Sequence, residues 1–99
     1  MASQQLDGAA ILDAVYAVIQ DRQENPKEGS YTTYLLTEGV DKILKKVGEE
    51  ASEVIIAAKN TDDHELVYEV GDLLYHLLVL LAAKGVTPEQ VYAELRSRR

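Results

Sequence analysis

The stretch "VDKILKKVGEEASEVIIAAK" spans residues 40–59 and decides the fold. Val40, Ile43, Leu44, Val47, Ala51, Val54, Ile55 and Ala58 recur at intervals of three and four. On an α-helix they form one continuous apolar stripe. At about 100° per residue, Glu50 falls at the edge of that stripe and Glu53 just beyond it. Lys46 lies between them in angle, one turn earlier. Residues three apart are neighbours on a helix surface, so Glu50 and Glu53 project together at the core boundary. Glu49 points further towards solvent.

The segment after this helix repeats the device. "NTDDHE" (Asn60 to Glu65) is a turn rich in N-cap residues. A helix then runs from about His64 to Ala83, with Leu66, Val70, Leu73, Leu74, Leu77, Leu78 and Leu81 as its apolar positions. Glu65, Glu69, Asp72 and His76 form one column on it. A tight turn makes the two helices antiparallel neighbours. Glu50 and Glu53 precede the turn by about as much as Glu69 and Asp72 follow it, so the two pairs meet at one level. Like charges packed at a half-buried seam raise each other's pKa and destabilise the fold. A hard divalent cation removes that cost and accepts oxygen ligands.

Outward from this pair, Ile11, Leu12, Val15, Val18 and Ile19 predict a first helix from about Asp7 to Glu24. "NPKEGS" (Asn25 to Ser30) breaks it. Ser30 caps a short helix over "YTTYLLTE", which Gly39 ends. Lys84-Gly85 stops the fourth helix. Thr87, Pro88 and Gln90 then open a last short helix with a capping box and proline at its first position. The strands that an α/β or all-β fold needs are missing. The expected architecture is all-α: one domain over residues 1–99, an antiparallel bundle of four to five helices. Beyond Tyr75 the fourth helix is apolar nearly all round and should be buried on most sides. Two long helices make a thin core, so a homodimer is expected to complete the bundle.

Bulk composition narrows the function. The chain of 99 residues has no cysteine, which excludes disulfides and thiolate metal sites. A metal must use carboxylates, histidines or carbonyls, favouring Mg²⁺, Mn²⁺ or Ca²⁺. A formal net charge of −7 repels nucleic acid and anionic membrane. The N-terminal segment lacks a basic leader, and the apolar run Leu73 to Ala83 is too short to span a bilayer. No nucleic-acid or membrane partner is expected, and a cytoplasmic location is. Carboxylate-held Mg²⁺ keeps positions open for water and phosphate, so an acidic protein can bind a polyphosphate through it.

"EEASE" (Glu49 to Glu53) followed by "EVGD" (Glu69 to Asp72) resembles the E-E-x-x-E … E-x-x-D pattern of all-α nucleoside-triphosphate pyrophosphohydrolases, the MazG-like and dimeric dUTPase-like enzymes. The "SYT" start at Ser30, "KKVGEEASEV" and "DLLYHLLVLL" resemble phosphoribosyl-ATP pyrophosphohydrolase, the second enzyme of histidine biosynthesis. The likeness runs from Arg22 to Leu95. It implies a homodimeric α-bundle that uses Mg²⁺, or Mn²⁺, to hydrolyse phosphoribosyl-ATP to phosphoribosyl-AMP and pyrophosphate. It implies Glu50, Glu53, Glu69 and Asp72 as metal ligands, and Glu49 and Glu50 as the candidate catalytic pair. Glu49 could orient or deprotonate the attacking water. Lys46, Arg22, Ser30, Tyr31 and Thr32 are the implied substrate-binding positions. The cyclohydrolase sometimes fused to this enzyme resembles a zinc protein that needs cysteines, so a stand-alone pyrophosphohydrolase is expected.

Other readings stand beside this one. A housecleaning pyrophosphatase acting on dUTP, dCTP or damaged nucleotides would share the metal site. A ferritin-like di-iron bundle needs Glu-x-x-His pairs, which neither Glu50 nor Glu69 begins. A non-catalytic helical module would use the acidic face for solubility alone. Lys46 can contact phosphate or pair with Glu49 or Glu50. His76 can support the site from behind or be a core histidine bonded to a neighbour, and the latter is favoured. Tyr31 and Tyr34 can stack on adenine or pack, Tyr75 is expected in the core or an interface, and Lys59 and Asn60 can touch substrate from the end of their helix or help end it, the latter favoured. Arg96 to Arg99 read as a solvated tail rather than a phosphate clamp, though their charge could carry them towards the substrate.

Overall fold

Five helices follow one another in the computed structural model, which describes residues 8–99: α1 (Ala9–Glu24), α2 (Tyr31–Glu38), α3 (Val40–Ala57), α4 (His64–Lys84) and α5 (Pro88–Ser97). There is no strand among the described residues, and the fold is all-α. The expected start of the first helix at Asp7 lies outside the described residues. The third helix ends at Ala57, two residues before the Lys59 expected, and the fourth continues one residue further, to Lys84.

Local chemistry sets these bounds. Ser30 Oγ accepts the Thr33 backbone N–H at 3.2 Å and starts α2. Gly39 takes φ 100°, open to glycine and strained for other residues, so the chain can stop α2 and begin α3 in one residue. Gly85 ends α4 in the left-handed conformation at φ 72°. At α5 the capping box forms: Thr87 Oγ1 accepts the Gln90 N–H at 3.4 Å, and Gln90 Oε1 accepts the Thr87 N–H at 2.9 Å. The turn before α4 departs from the simplest capping pattern. Asp63 occupies the cap position but makes no side-chain cap bond. Asp62 Oδ1 instead accepts the His64 N–H at 2.9 Å.

α3 and α4 form the antiparallel hairpin at the heart of the fold and share its most extensive helix–helix interface. α1 and α2 close over one end of it. The core is Tyr16 and Ile19 of α1, Leu35 of α2, Ile43 of α3, and Leu78, Val79 and Ala82 of α4. Because the hairpin is antiparallel, the start of α3 and the end of α4 lie together, and this is the end that α1 and α2 cover. Two polar bonds secure it. The Tyr16 hydroxyl donates to the Val86 carbonyl at 2.8 Å, and Gln23 Nε2 donates to the Ala82 carbonyl at 3.0 Å.

The other end of the hairpin differs from expectation. The α3 stripe is not buried along its whole length: Ile55, 66% exposed, and Ala58 lie open near the turn, and Leu44, near the start of α3, is exposed too. Val70 and Leu74 of α4 are likewise exposed, as are their neighbours Ile56, Val67 and Tyr68. Helical periodicity identifies a face that can be buried, but near the turn the described residues leave it open. Past Tyr75, α4 buries His76, Leu78, Val79 and Ala82, while Leu77, Leu80 and Leu81 are only half-buried. These border an apolar groove of about 330 Å³ against Val91 and Leu95 of α5. By length and composition alone α4 would pass for a membrane span. It also carries Glu69 and Asp72 against α3, which identifies it as the central helix of the bundle.

Replacing Ile43, fully buried where α1, α2 and α4 meet α3, with alanine should cost about 3 kcal/mol. Thr87→Ala, which removes one cap, should cost about 1 kcal/mol. Urea unfolding at one fixed protein concentration measures both. Equal losses would contradict a core centred on Ile43.

Candidate active site

Side chains from three helices converge midway along the hairpin. α3 contributes Lys46, Glu49, Glu50 and Glu53, α4 contributes Glu69, Asp72 and His76, and Tyr31 of α2 closes one side. Glu50 is the pivot. It is 8% exposed, the only buried acidic residue among those described. Burial pushes its carboxyl above the ordinary 4.5, and the Asp72 carboxyl across the seam pushes it further. The Lys46 ammonium, 3.6 Å from Glu50, opposes this only in part.

Glu69 stands at the same level, half-buried. Its carboxyl is also raised, first by desolvation and then by Glu53, Asp72 and Glu65. The two i,i+3 pairs therefore do meet across the hairpin. Within the set, one ligand atom each from Glu50, Asp72 and His76 lie within 4.8 Å of one another. Glu53 is exposed, its carboxylate at the outer rim, felt through Glu69. Glu49 is exposed as well, with its oxygen 3.4 Å from Lys46 Nζ.

The ammonium of Lys46 thus pairs with both Glu49 and Glu50. Burial alone would lower its pKa, but the Tyr31 oxygen and these two carboxylates outweigh that and raise it. The group stays cationic at the edge of an acidic cluster, where it can meet a phosphate oxygen. Tyr31 and Tyr34 both remain 46% exposed. Their rings stack at 6.3 Å, and Lys42, not singled out by the sequence reading, stands over the Tyr34 ring at 5.7 Å. That contact crosses the Gly39 break, so no helical spacing announces it.

The remaining expected residues lie elsewhere. Thr32 is buried, and its hydroxyl is committed to Tyr75. Ser30 caps α2 and lines an open pocket with Lys27, Tyr31 and Tyr34. Arg22 is paired with Asp21 at 2.7 Å and borders a cleft of about 370 Å³ with Thr33, Thr37 and Gly39. None of the clustered carboxylates lines that cleft. The expected tail is in part helix: Arg96 lies inside α5 and pairs with Glu89, and Arg98, just past its end, pairs with Glu94, all of them exposed.

The donor set fits a hard cation. Carboxylate oxygens of Glu50 and Asp72 meet across the seam, and Glu50 and Glu69 are raised first by desolvation and then by neighbouring carboxylates, a cost that a bound cation would relieve.

The phosphoribosyl-ATP pyrophosphohydrolase family model matches residues 12–99. The chain belongs to this family. Among curated relatives, the phosphoribosyl-ATP pyrophosphatase of Lactiplantibacillus plantarum is 58% identical over 88% of this chain and 82% of its own length. That of Streptococcus thermophilus is 57% identical over 90% of this chain and 86% of its own. The histidine biosynthesis bifunctional protein of Thermoanaerobacter pseudethanolicus is 60% identical over 89% of this chain. The chain spans less than half the length of such bifunctional relatives, 41% in that case. The family match covers all five helices from early α1 onward, and with them every member of the carboxylate cluster.

The raised carboxyls carry a pH dependence. A carboxyl whose folded pKa lies above its unfolded value binds its proton more tightly in the folded chain. Its contribution is fully present below the unfolded value and is lost as pH rises through the folded one. In chelator, stability should therefore decline with pH from the ordinary 4.5 upwards as Glu50 and Glu69 ionise. Glu50→Gln should flatten that decline. Thermal melts across this range measure it; an identical slope in wild type and variant would show that Glu50 is not the strained group.

Proposed function

We propose that this protein hydrolyses phosphoribosyl-ATP to phosphoribosyl-AMP and pyrophosphate, with Mg²⁺ as its working cation and Mn²⁺ as a substitute. Family membership combined with the four carboxylates meeting across α3 and α4 is the observation that carries this reading. Glu50, Glu53, Glu69 and Asp72 would hold the ion. When bound, Mg²⁺ supplies a clamp for the phosphate oxygens and neutralises the charge that develops on them.

The chain's own residues do the rest. Lys46 offers its ammonium to a phosphate oxygen, released for this by exchange with Glu49. Glu49, exposed beside the cluster, accepts a proton from the attacking water, and Glu50 fixes the geometry from within. Water oxygen becomes bonded to phosphorus, the bond between the α- and β-phosphates breaks, and pyrophosphate leaves. The tyrosine pair Tyr31 and Tyr34 borders the substrate's approach, and Ser30 lies beside it. Arg22 and Thr32 would contribute only from a second region of the surface or through α2.

A second copy of the chain is the natural cover for Ile55, Ile56, Val67 and Tyr68, which would make the working form a homodimer of about twice the 11.0 kDa chain. The substrate is a soluble nucleotide, and a cytoplasmic enzyme with no membrane or nucleic-acid partner is consistent with the net charge of −7.

Pyrophosphate release from phosphoribosyl-ATP, with and without Mg²⁺, is the decisive assay. Turnover of dUTP, dCTP or other ordinary nucleotides with none of phosphoribosyl-ATP would replace this reading with a housecleaning pyrophosphatase. Asp72→Ala and Glu53→Ala should each lower turnover by more than about 100-fold, beyond what even the outer-shell partners of a metal cost. Circular dichroism should show the helices kept, and calorimetry should show weakened Mg²⁺ binding. Unchanged Mg²⁺ binding in both would overturn the ligand assignment.

A further inference from the structure

His76 is the most deeply buried polar side chain described, at 2% exposure, and both of its ring nitrogens are engaged. Nδ1 lies 2.8 Å from the main-chain carbonyl oxygen of Asp72, one turn back on α4. Nε2 lies 2.8 Å from the hydroxyl of Tyr31, on α2. A carbonyl oxygen can only accept, so Nδ1 carries a proton and donates it. In the neutral imidazole, whose Nδ1 also lies 3.6 Å from Asp72 Oδ1, Nε2 is then the acceptor and the Tyr31 hydroxyl donates its single proton to it. The rings meet edge to face at 5.7 Å, which fixes the orientation of the tyrosine.

This has a consequence for what Tyr31 presents. With its proton directed back into the protein, its oxygen offers only lone pairs towards the cluster. That oxygen is bonded to His76, which offers a ring nitrogen within 4.8 Å of carboxylate oxygens of Glu50 and Asp72. A water molecule attacking phosphorus uses one lone pair on the phosphorus and has two hydrogens to place. One goes to the carboxylate that removes the proton. The other needs a second acceptor that does not itself carry negative charge towards the phosphates. A tyrosine free to rotate would as often donate to the water, leaving its attacking lone pair occupied.

We propose that His76 is a positioning residue: it locks Tyr31 as a hydrogen-bond acceptor beside the carboxylate cluster, where the Tyr31 oxygen orients the attacking water. The proposal rests on the hydrolytic reading above. Neither His76 nor Tyr31 changes covalently. The water oxygen bonds to phosphorus, its proton leaves to a carboxylate, and pyrophosphate departs with the electrons of the broken bond. His76 acts through Tyr31 and touches no reacting atom. With both nitrogens committed, it is also a poor metal ligand despite lying close to Glu50 and Asp72.

The geometry can be tested apart from the reaction. Nitrogen-15 NMR of the histidine rings in the full chain at neutral pH, with His64 identified by His64→Gln, reports the tautomer of His76. The expected result is a protonated Nδ1 and a bare Nε2, with Tyr31→Phe shifting the Nε2 signal. A ring protonated on Nε2, or an Nε2 signal indifferent to Tyr31→Phe, would overturn the proposal. The kinetic test is a double-mutant cycle in phosphoribosyl-ATP hydrolysis. Tyr31→Phe and His76→Phe should each lower kcat about tenfold, with KM within about twofold, as loss of one hydrogen bond in the transition state implies. Combined, they should cost no more than either alone. Losses that multiply would show that His76 serves packing only, and the proposal would fail. If His76→Phe does not fold, the NMR comparison still decides, since it needs only wild type and Tyr31→Phe. A wild-type protein with the expected tautomer and no turnover of phosphoribosyl-ATP would sink the proposed function instead.

Discussion

Glu50 sits buried in the seam between α3 and α4 with the Asp72 carboxyl facing it, and the site is arranged around this unfavourable pairing. Two carboxylates drawn out of water and set side by side are costly. The hairpin nevertheless forms, because the same two helices bury Ile43, Leu78 and Val79 at the covered end with α1 and α2. Apolar burial at one end therefore holds charge repulsion in place at the middle. Lys46 relieves part of it, and the remainder is what makes the seam receptive to a cation.

The position of the cluster along the hairpin has a physical logic. Towards the covered end the helices are clamped from several sides, and a carboxylate there would be desolvated with no ligand able to reach it. Towards the turn, Ile55 and Ile56 lie open, and a carboxylate would simply be solvated. Midway, Glu50 is buried enough to be strained while Glu49 and Glu53 still touch solvent. Such a gradient lets a small chain keep stability and a strained polar site in separate places. Tyr31, anchored through His76, belongs to the same gradient: its hydroxyl is fixed from inside while nearly half of its surface stays open.

How far the sequence could be read depends on the range of the interactions involved. The bounds of α2 follow from Ser30 and Gly39, and the start of α5 follows from Thr87, Pro88 and Gln90. These are contacts between residues a few positions apart, and they came out as read. The pairing of Glu50 and Glu53 with Glu69 and Asp72 was legible too, because a tight turn leaves a helical hairpin little freedom of register. The exposure of Ile55 and Leu44 was not legible. It depends on which sides of α3 the other helices cover, and an apolar stripe says nothing about that. Thr32 and Arg22 show the same limit within the site. Successive residues on α2 are turned by about 100°, so Tyr31 meets His76 beside the cluster while Thr32 meets Tyr75.

The sequence by itself determined that this chain is all-α, where α2 begins and ends and where α5 begins, and that two acidic pairs share one level of an antiparallel hairpin. All of these rest on periodicity and on caps and turns closed by near neighbours. Only the tertiary structure decided which carboxylate is buried, that both nitrogens of His76 are occupied, and that the Tyr31 hydroxyl points inward. Those facts depend on α2 being laid against α4 across more than forty residues of intervening chain. The depth and direction of a side chain at such a junction are set by the packing of separate helices, which no local pattern encodes.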